Sequence, residues 1–459
     1  MSTAYREFIA DKLSRFSPAG FEPARVNEHL FDFQDALTRW ALRVGRCALF
    51  ADTGLGKTRM QLAWADAVRQ KHGGSILILA PLAVAEQTCE EGAAMGIDVR
   101  HVRESQPLDG ICITNYERAH KFDCSELAGV VLDESSIIKH HDSRSFGILT
   151  ETFADTPYKL CATATPAPND WTELGTHAEF LGVCSRAEML AEFFVHDAAK
   201  TQDWRLKGHA RAAFWEWVAS WAAVVRNPAD IGFDGSRYEL PWLNVKQHTI
   251  KTEAVPLAGQ LFAMEASTLS ERRDARRKSV DARVAECAQI ANETSGAWVV
   301  WCDLNTESDA LTDAIDGAIE VRGSQTLDEK ESALNAFRHG EARVIVTKPS
   351  IAGFGLNWQH CANMAFVGVT DSYESYYQAV RRCWRFGQSQ QVNVHVFASD
   401  LEGAVVANLE RKEKAAAEMA AEMVSFTAAA VRRNVVGSQR STNAYEAKQA
   451  MRLPKFIAT

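Results

Sequence analysis

Cys47-Ala48-Leu49-Phe50-Ala51-Asp52-Thr53-Gly54-Leu55-Gly56-Lys57-Thr58 is the stretch that decides the fold. An apolar run of strand length enters a glycine-bearing turn. It leaves into Met60, Ala63, Trp64, Ala67 and Val68, apolar residues at helical spacing that stop at Gly73-Gly74. Glycines between a strand and a helix let backbone N–H groups turn inward and cradle a triphosphate at the helix N-terminus. The backbone of Thr53, Gly54, Leu55 and Gly56 is the expected cradle. Lys57 is placed to reach the β- and γ-phosphates, and the Thr58 hydroxyl to hold Mg²⁺. The general pattern begins with glycine where this chain has Ala51. A bare G-x-G-K-T arises by chance; the strand before it and the helix after it argue against that.

This loop alone fits a kinase or a GTPase equally well. Further along, Gly129-Val130-Val131-Leu132 runs into Asp133-Glu134-Ser135-Ser136. An acidic residue at the end of a buried strand in the same sheet can hold the Mg²⁺ shell, and Asp133 has that place. Glu134 is then set to orient or deprotonate an attacking water. Adjacent carboxylates repel in a low dielectric, and a metal with a triphosphate explains the pair.

Outward from these residues, short apolar runs alternate with helical patterns. Cys47–Ala51, Ile76–Ala80, Ile111–Thr114, Val130–Leu132 and Tyr158–Ala162 read as buried strands of one lobe. Trp298–Trp301, Val344–Val346, Met364–Val367 and Val392–Phe397 read as those of a second. The expected class is α/β, with parallel sheets covered on both faces. Residues 31–180 form the first lobe and 291–400 the second, with an N-terminal segment over 1–30. Between the lobes, 181–245 reads as a helical insert rich in tryptophan (Trp204, Trp215, Trp217, Trp221, Trp242). That composition suits a small hydrophobic core better than a base-stacking platform. Residues 246–290 read as a linker with a charged helix, and 401–459 as a helical extension with a polar tail.

Bulk properties narrow the class. The 459 residues are 46% hydrophobic and 24% charged, enough for two or three globular domains. The longest apolar runs, such as Ala297–Cys302 and Val218–Val225, are too short to span a membrane. Met1–Phe16 lacks a signal-peptide core, and no cysteine pair has C-x-x-C spacing. Cys47, Cys112, Cys161 and Cys302 lie in apolar runs as expected buried thiols, and a reducing cytoplasm follows. A net charge of -9 argues against a nucleic-acid binder that uses its whole surface, and permits one with a local basic face. The basic runs Arg272-Arg273, Arg276-Arg277-Lys278, Arg381-Arg382 and Arg432-Arg433 read from charge alone as solvated helix faces. The Arg-rich stretch Glu271–Arg283 either tracks phosphates or solvates a connecting helix.

With these residues assembled, the chain resembles the superfamily-two helicases and translocases (DEAD/DEAH-like), above all their Snf-type, chromatin-remodeller-like branch. The resemblance runs from about Phe31 to Asp400, with its motifs in order. It implies two tandem RecA-like P-loop lobes. Gln34 matches the family's adenine-reading glutamine. Ala80-Pro81-Leu82 and Thr114-Asn115-Tyr116-Glu117 look like motifs touching the nucleic-acid backbone, which makes Pro81 and Asn115 candidate contacts. Thr163-Ala164-Thr165-Pro166, with Asn169 and Glu173-Leu174 after it, is similar to the motif coupling ATP state to grip. Ala352-Gly353-Phe354-Gly355-Leu356-Asn357-Trp358 looks like the glycine-rich motif facing both polymer and nucleotide, with Gly353, Gly355 and Asn357 as its contacts. Gln378-Ala379-Val380-Arg381-Arg382-Cys383-Trp384-Arg385-Phe386-Gly387-Gln388 is similar to the last motif. There Arg385 matches the arginine finger, Arg382 its partner and Gln378 a coupling residue.

Two departures stand out. Ser136 occupies a place where many relatives carry His or Asp, and Arg381 a place where the Snf-type branch usually carries Asp. The compact length, the Asp-Glu-Ser-Ser box and the tryptophan-rich segment look like helicases of tailed bacteriophages and prophages. The resemblance implies an ATP hydrolase acting on nucleic acid, DNA rather than RNA, with ATP and Mg²⁺ and no membrane. It also implies a monomer on its own, open to a protein partner, in the cytoplasm (of the host, if phage-encoded). Two rivals share these residues: a double-stranded DNA translocase that never separates strands, and an ATP-switched clamp with little turnover.

Overall fold

The computed structural model describes residues 18–81, 84–168, 170–196, 204–251, 277, 279–353, 355–368, 372–400 and 403–436. Lobe one is built on β1 (Arg46–Ala51), β2 (Ser75–Ala80), β3 (Val99–His101), β4 (Ile111–Asn115), β5 (Leu127–Asp133) and β6 (Tyr158–Ala162). A short antiparallel pair follows, β7 (Phe194–His196) with β8 (Trp204–Leu206). The chain then returns through β9 (Ala222–Val225), which pairs parallel with β1. The sheet runs β3-β4-β2-β5-β6-β1-β9. Alternation splits its side chains between two cores: Cys47, Leu49 and Ala51 face one, Ala48 and Phe50 the other. With both faces covered by helices, the strands must be apolar throughout, which is why they are legible as continuous runs.

Lobe two repeats the design with β10 (Leu243–Ile250), β11 (Trp298–Trp301), β12 (Ala318–Val321), β13 (Val344–Thr347), β14 (Asn363–Phe366) and β15 (Val392–Ser399). Its order is β10-β15-β14-β11-β13-β12, parallel throughout. The nine strands read from sequence are all present. Residues 181–245 are helical over Arg186–Phe193 and Arg211–Trp221, and they also supply β7, β8 and β9. The helix Arg211–Trp221 passes into β9 with no break in apolar character, which hides the strand. β10 straddles the boundary between the segment read as the insert and the one read as linker. It is an edge strand, and its Lys246, Gln247 and His248 give it a polar pattern.

Trp215, Trp217 and Trp221 are buried in lobe one's core, so the core reading holds for them, whereas Trp242 is 76% exposed. The described part of the C-terminal extension is a single helix, Gly403–Val436. It leaves lobe two yet docks on lobe one: Phe426 stacks on Trp215, and Asn434 Nδ2 donates to the Ala219 carbonyl at 3.0 Å. The ten cysteines are free, and Cys47, Cys112, Cys161 and Cys302 are buried. Among the described residues no helix is long and apolar enough to cross a membrane.

The basic runs divide. Arg432-Arg433 is exposed. Arg381 and Arg382 are buried, which corrects the solvated-face reading drawn from charge alone. Arg272-Arg273, Arg276 and Lys278 lie outside the described residues, as do Met1–Phe16, Leu82, Asn169, Phe354 and the tail after Val436. Arg283 neither tracks phosphates nor solvates. It is fully buried in lobe two, 2.8 Å from Glu307. Glu307 in turn accepts the Asp303 and Leu304 amides at the start of the helix Asn305–Ala314. Replacing one partner strands the other charge in the core. Arg283→Met is therefore expected to cost about 3–5 kcal/mol in urea unfolding. A loss under about 1 kcal/mol would mean that the core tolerates Glu307 alone.

Candidate active site

Both lobes present the ends of parallel strands to one cleft. Lobe one lines it with Gln34, Thr53, Gly54, Gly56, Lys57, Thr58, Asp133 and Glu134; lobe two with Gly355, Asn357, Arg382 and Arg385. Phe386, quoted from sequence only as part of the last motif, also lines it, as do Phe31, Arg59, Glu91, Tyr238 and Gln359, which were not singled out. Their only sequence signal is adjacency to motif residues, and Tyr238 and Glu91 lack even that.

Gly54 and Gly56 adopt φ of 92° and 78°, open to glycine and costly for other residues. A Cβ at Gly54 would meet the Phe386 amide at 2.8 Å, and one at Gly56 would meet Gln34 Nε2 at 2.2 Å. So lobe two and Gln34 both press on the loop. Gln34 Nε2 donates to the Leu55 carbonyl at 2.9 Å, while the Leu55 side chain is buried in the core. Leu55 thus offers the cleft backbone only. Lys57 Nζ donates to the Ala51 carbonyl at 3.0 Å and to that of Asp52 at 3.4 Å. The Thr53 hydroxyl is buried with no partner in the structure.

At the end of β5, Asp133 Oδ1 accepts from Gln61 Nε2 at 2.7 Å. Burial, then repulsion from Glu134, pushes Asp133 up to about 6, against the pull of Gln61, Lys57 and Arg382. Glu134 has φ 54°, the one positive φ outside glycine among the described residues. Such a backbone costs on the order of 1–3 kcal/mol and persists where the surroundings impose it. Glu134 Oε2 accepts from Thr163 Oγ1 at 3.2 Å, and the Thr165 amide donates to that same hydroxyl oxygen at 3.2 Å. Gln378 Nε2 of lobe two donates to Thr165 Oγ1 at 3.2 Å, and Gln378 Oε1 accepts from Arg382 Nη2 at 2.9 Å. A continuous chain of polar contacts therefore joins Glu134 to Arg382 across the cleft.

Arg382 and Arg385 both donate to the Leu356 carbonyl, at 3.1 and 3.0 Å. Burial, and next the Arg382 guanidinium, pushes Arg385 down to about 9. A guanidinium stays charged, so this crowding marks a place that gains from a bound anion. Pro81, Asn115 and Gly353 do not line the cleft. Pro81 follows β2. Asn115 ends β4 and caps the next turn by accepting the Arg118 amide at 3.0 Å. Gly353 packs on the Pro349 carbonyl, and a Cβ at Gly355 would meet Val84 of lobe one at 2.0 Å.

These features define a class. The fold is a pair of tandem RecA-like lobes with parallel sheets. Residues 284–387 match the family model described as helicase conserved C-terminal domain. S. cerevisiae Dbp5 bound to RNA and ADP BeF3 is similar in structure, with TM-score 0.54 at 10% identity, covering 86% of this chain and 93% of that one. The Sulfolobus solfataricus SWI2/SNF2 ATPase core in complex with dsDNA aligns at TM-score 0.41 and 17% identity, over 90% and 98%. No curated protein sequence matches the chain.

Asp133 gives a pH test. A carboxyl whose folded pKa lies above its unfolded value weakens the fold as pH rises through that interval, because the native state holds the proton more tightly. With 3.8 as the ordinary value and about 6 in the fold, this loss is complete above about pH 7. Asp133→Asn is expected to raise the nucleotide-free protein's stability there by on the order of 2 kcal/mol. The gain should shrink as pH falls and vanish below about pH 3, where Asp133 is largely protonated in both states. A thermal midpoint that Asp133→Asn leaves unchanged at every pH would place the charge conflict elsewhere.

Proposed function

We propose that the chain is an ATP-dependent translocase or helicase that acts on DNA and couples ATP hydrolysis to closure of its two lobes. The observation that carries this is the single cleft in which Lys57, Thr58, Asp133 and Glu134 of lobe one face Arg382 and Arg385 of lobe two. In this reading the loop amides from Thr53 to Gly56 and Lys57 hold the β- and γ-phosphates, and Gln34 reads the base. The Thr58 hydroxyl and Asp133 carboxylate are hard oxygen donors of the kind Mg²⁺ takes. Bound there, Mg²⁺ would neutralise triphosphate charge. Glu134 takes the proton of the attacking water, its carboxylate aimed by the left-handed backbone and by Thr163. Arg385, with Arg382, meets the charge that develops on the γ-phosphoryl group.

Thr163, Thr165 and Gln378 couple the two halves, since their hydrogen bonds link the base to the arginines. Pro81, Asn115, Gly353 and Asn357 belong to the nucleic-acid side. DNA is the preferred track on the sequence resemblance to the Snf-type branch, and a phage or prophage origin rests on the compact length, the Asp-Glu-Ser-Ser box and the tryptophan-rich segment. Because Dbp5 was captured with RNA, RNA belongs in the test.

Steady-state ATPase activity with single-stranded DNA, double-stranded DNA or RNA is the first measurement. DNA is expected to stimulate turnover and RNA to do little, and the reverse would reassign the track. Lys57→Ala is expected to abolish turnover. Glu134→Gln should lose about 10²- to 10⁴-fold in kcat while still binding ATP. Arg385→Ala should lose on the order of 10³-fold with ATP affinity retained. A stoichiometric burst without steady turnover would instead favour the clamp. DNA-stimulated turnover that displaces triplexes but no strands would favour the double-strand translocase.

A further inference from the structure

Arg381 departs from the sequence pattern of the Snf-type branch, and its surroundings give it a purpose. It caps the helix Tyr373–Val380 of lobe two, directly before Arg382. Its side chain points away from the cleft, to the back of the phosphate loop. There Arg381 Nη2 lies 2.8 Å from Asp52 Oδ1 and donates to the Thr53 carbonyl at 3.1 Å. Tyr377 Oη donates to the same carboxylate oxygen at 3.0 Å. The guanidinium sits over the rings of Tyr377 and Trp384, at 5.6 and 5.3 Å from their centroids. Trp384 is pinned in turn by its Nε1–H on the Pro241 carbonyl at 2.7 Å.

Asp52 lines a cavity behind the loop with Tyr377 and Trp384, and does not line the nucleotide cleft. Burial opposes its charge, yet Arg381, the Thr53 amide and Lys57 outweigh burial and hold its carboxyl below the ordinary range. Lobe two thus grips the loop from behind with Arg381 and covers Gly54 from the front with Phe386.

We propose that Arg381 is a positioning residue: its buried ion pair with Asp52 latches lobe two onto the phosphate loop and sets Arg382 and Arg385 in the closed cleft. Arg381 and Arg382 are consecutive, so a latch on the first fixes the backbone that presents the second. Without the pair, lobe one keeps its phosphate-binding groups but meets the arginines less often. The kinetic half of this inference rests on the ATPase reading above; the conformational half does not.

The test compares Arg381→Gln, Asp52→Asn, their double variant and Arg381→Lys by ATPase kinetics, fluorescent-nucleotide binding and small-angle scattering without nucleotide. Each single variant is expected to lower kcat by about tenfold or more, with nucleotide Kd within about threefold. The double variant should be no worse than the poorer single, because the two residues act as one unit. It also removes both charges, so it folds even where a single variant strands one of them. Arg381→Lys should recover part of kcat by keeping the charge while losing the fork. Scattering should show a larger radius of gyration for Arg381→Gln than for the natural protein. Unchanged kcat, or single effects that multiply, would overturn the latch. If the natural protein hydrolyses no ATP with any polymer, the function reading fails. The latch is then decided by scattering, where equal radii overturn it and expansion supports it.

Discussion

Buried charge at the strand ends is the constraint on which the rest of the structure depends. Asp133 and Glu134 are adjacent carboxylates, both buried, at the carboxyl end of β5. In a low dielectric they are tolerable only with close counter-charges and donors. The sheet order β5-β6-β1 supplies these from three neighbouring strand ends. Lys57 comes from the loop after β1, Thr163 from the turn after β6, and Gln61 from the helix that follows Lys57. Parallel topology thus brings residues more than a hundred positions apart into one cluster, at the edge where open α/β sheets bind ligands.

That cluster is incomplete within lobe one. Arg382 and Arg385 add positive charge from lobe two; Arg382 is buried, Arg385 half-buried, and both are bonded to the one Leu356 carbonyl. Lobe one turns Asp133 and Glu134 to the cleft, and lobe two turns Arg382 and Arg385 to it. Closure is therefore an electrostatic event as well as a packing one. The contacts from Glu134 through Thr163, Thr165 and Gln378 to Arg382 give it a defined geometry. Gln378 is fully buried and satisfied on both sides, donating to Thr165 and accepting from Arg382.

Much of this was legible because fully buried parallel strands leave uninterrupted apolar runs, and a phosphate loop needs glycine at fixed places. Gln34, Lys57, Thr58, Asp133, Glu134, Gly355, Asn357, Arg382 and Arg385 were all named from sequence, and the fold brings them to one cleft. Elements whose burial is one-sided or borrowed were not legible. β10 is an edge strand with a polar pattern, and β9 is continuous with the helix before it, so neither shows the period of a buried strand. For Arg283 the sequence left phosphate tracking and solvation both open, because charge counts cannot foresee a buried partner at Glu307, 24 residues away. Tyr238 reaches the cleft from the crossing between lobes and stacks on Phe386 at 4.6 Å, a placement that no local pattern encodes.

The C-terminal helix sets the kind of motion these lobes can make. It follows β15 of lobe two, yet its far end is buried against lobe one through Met423, Ala430, Val431 and Val435. Arg43 also donates to the carbonyls of Asn434 and Val435, at 3.4 Å each. At about 1.5 Å per residue, its 34 residues form a rod roughly 50 Å long. The lobes are therefore joined twice, by the crossing between β9 and β10 and by this rod. Two connections permit hinge-like opening of the cleft and resist full separation. That arrangement suits the repeated closure proposed for the cleft.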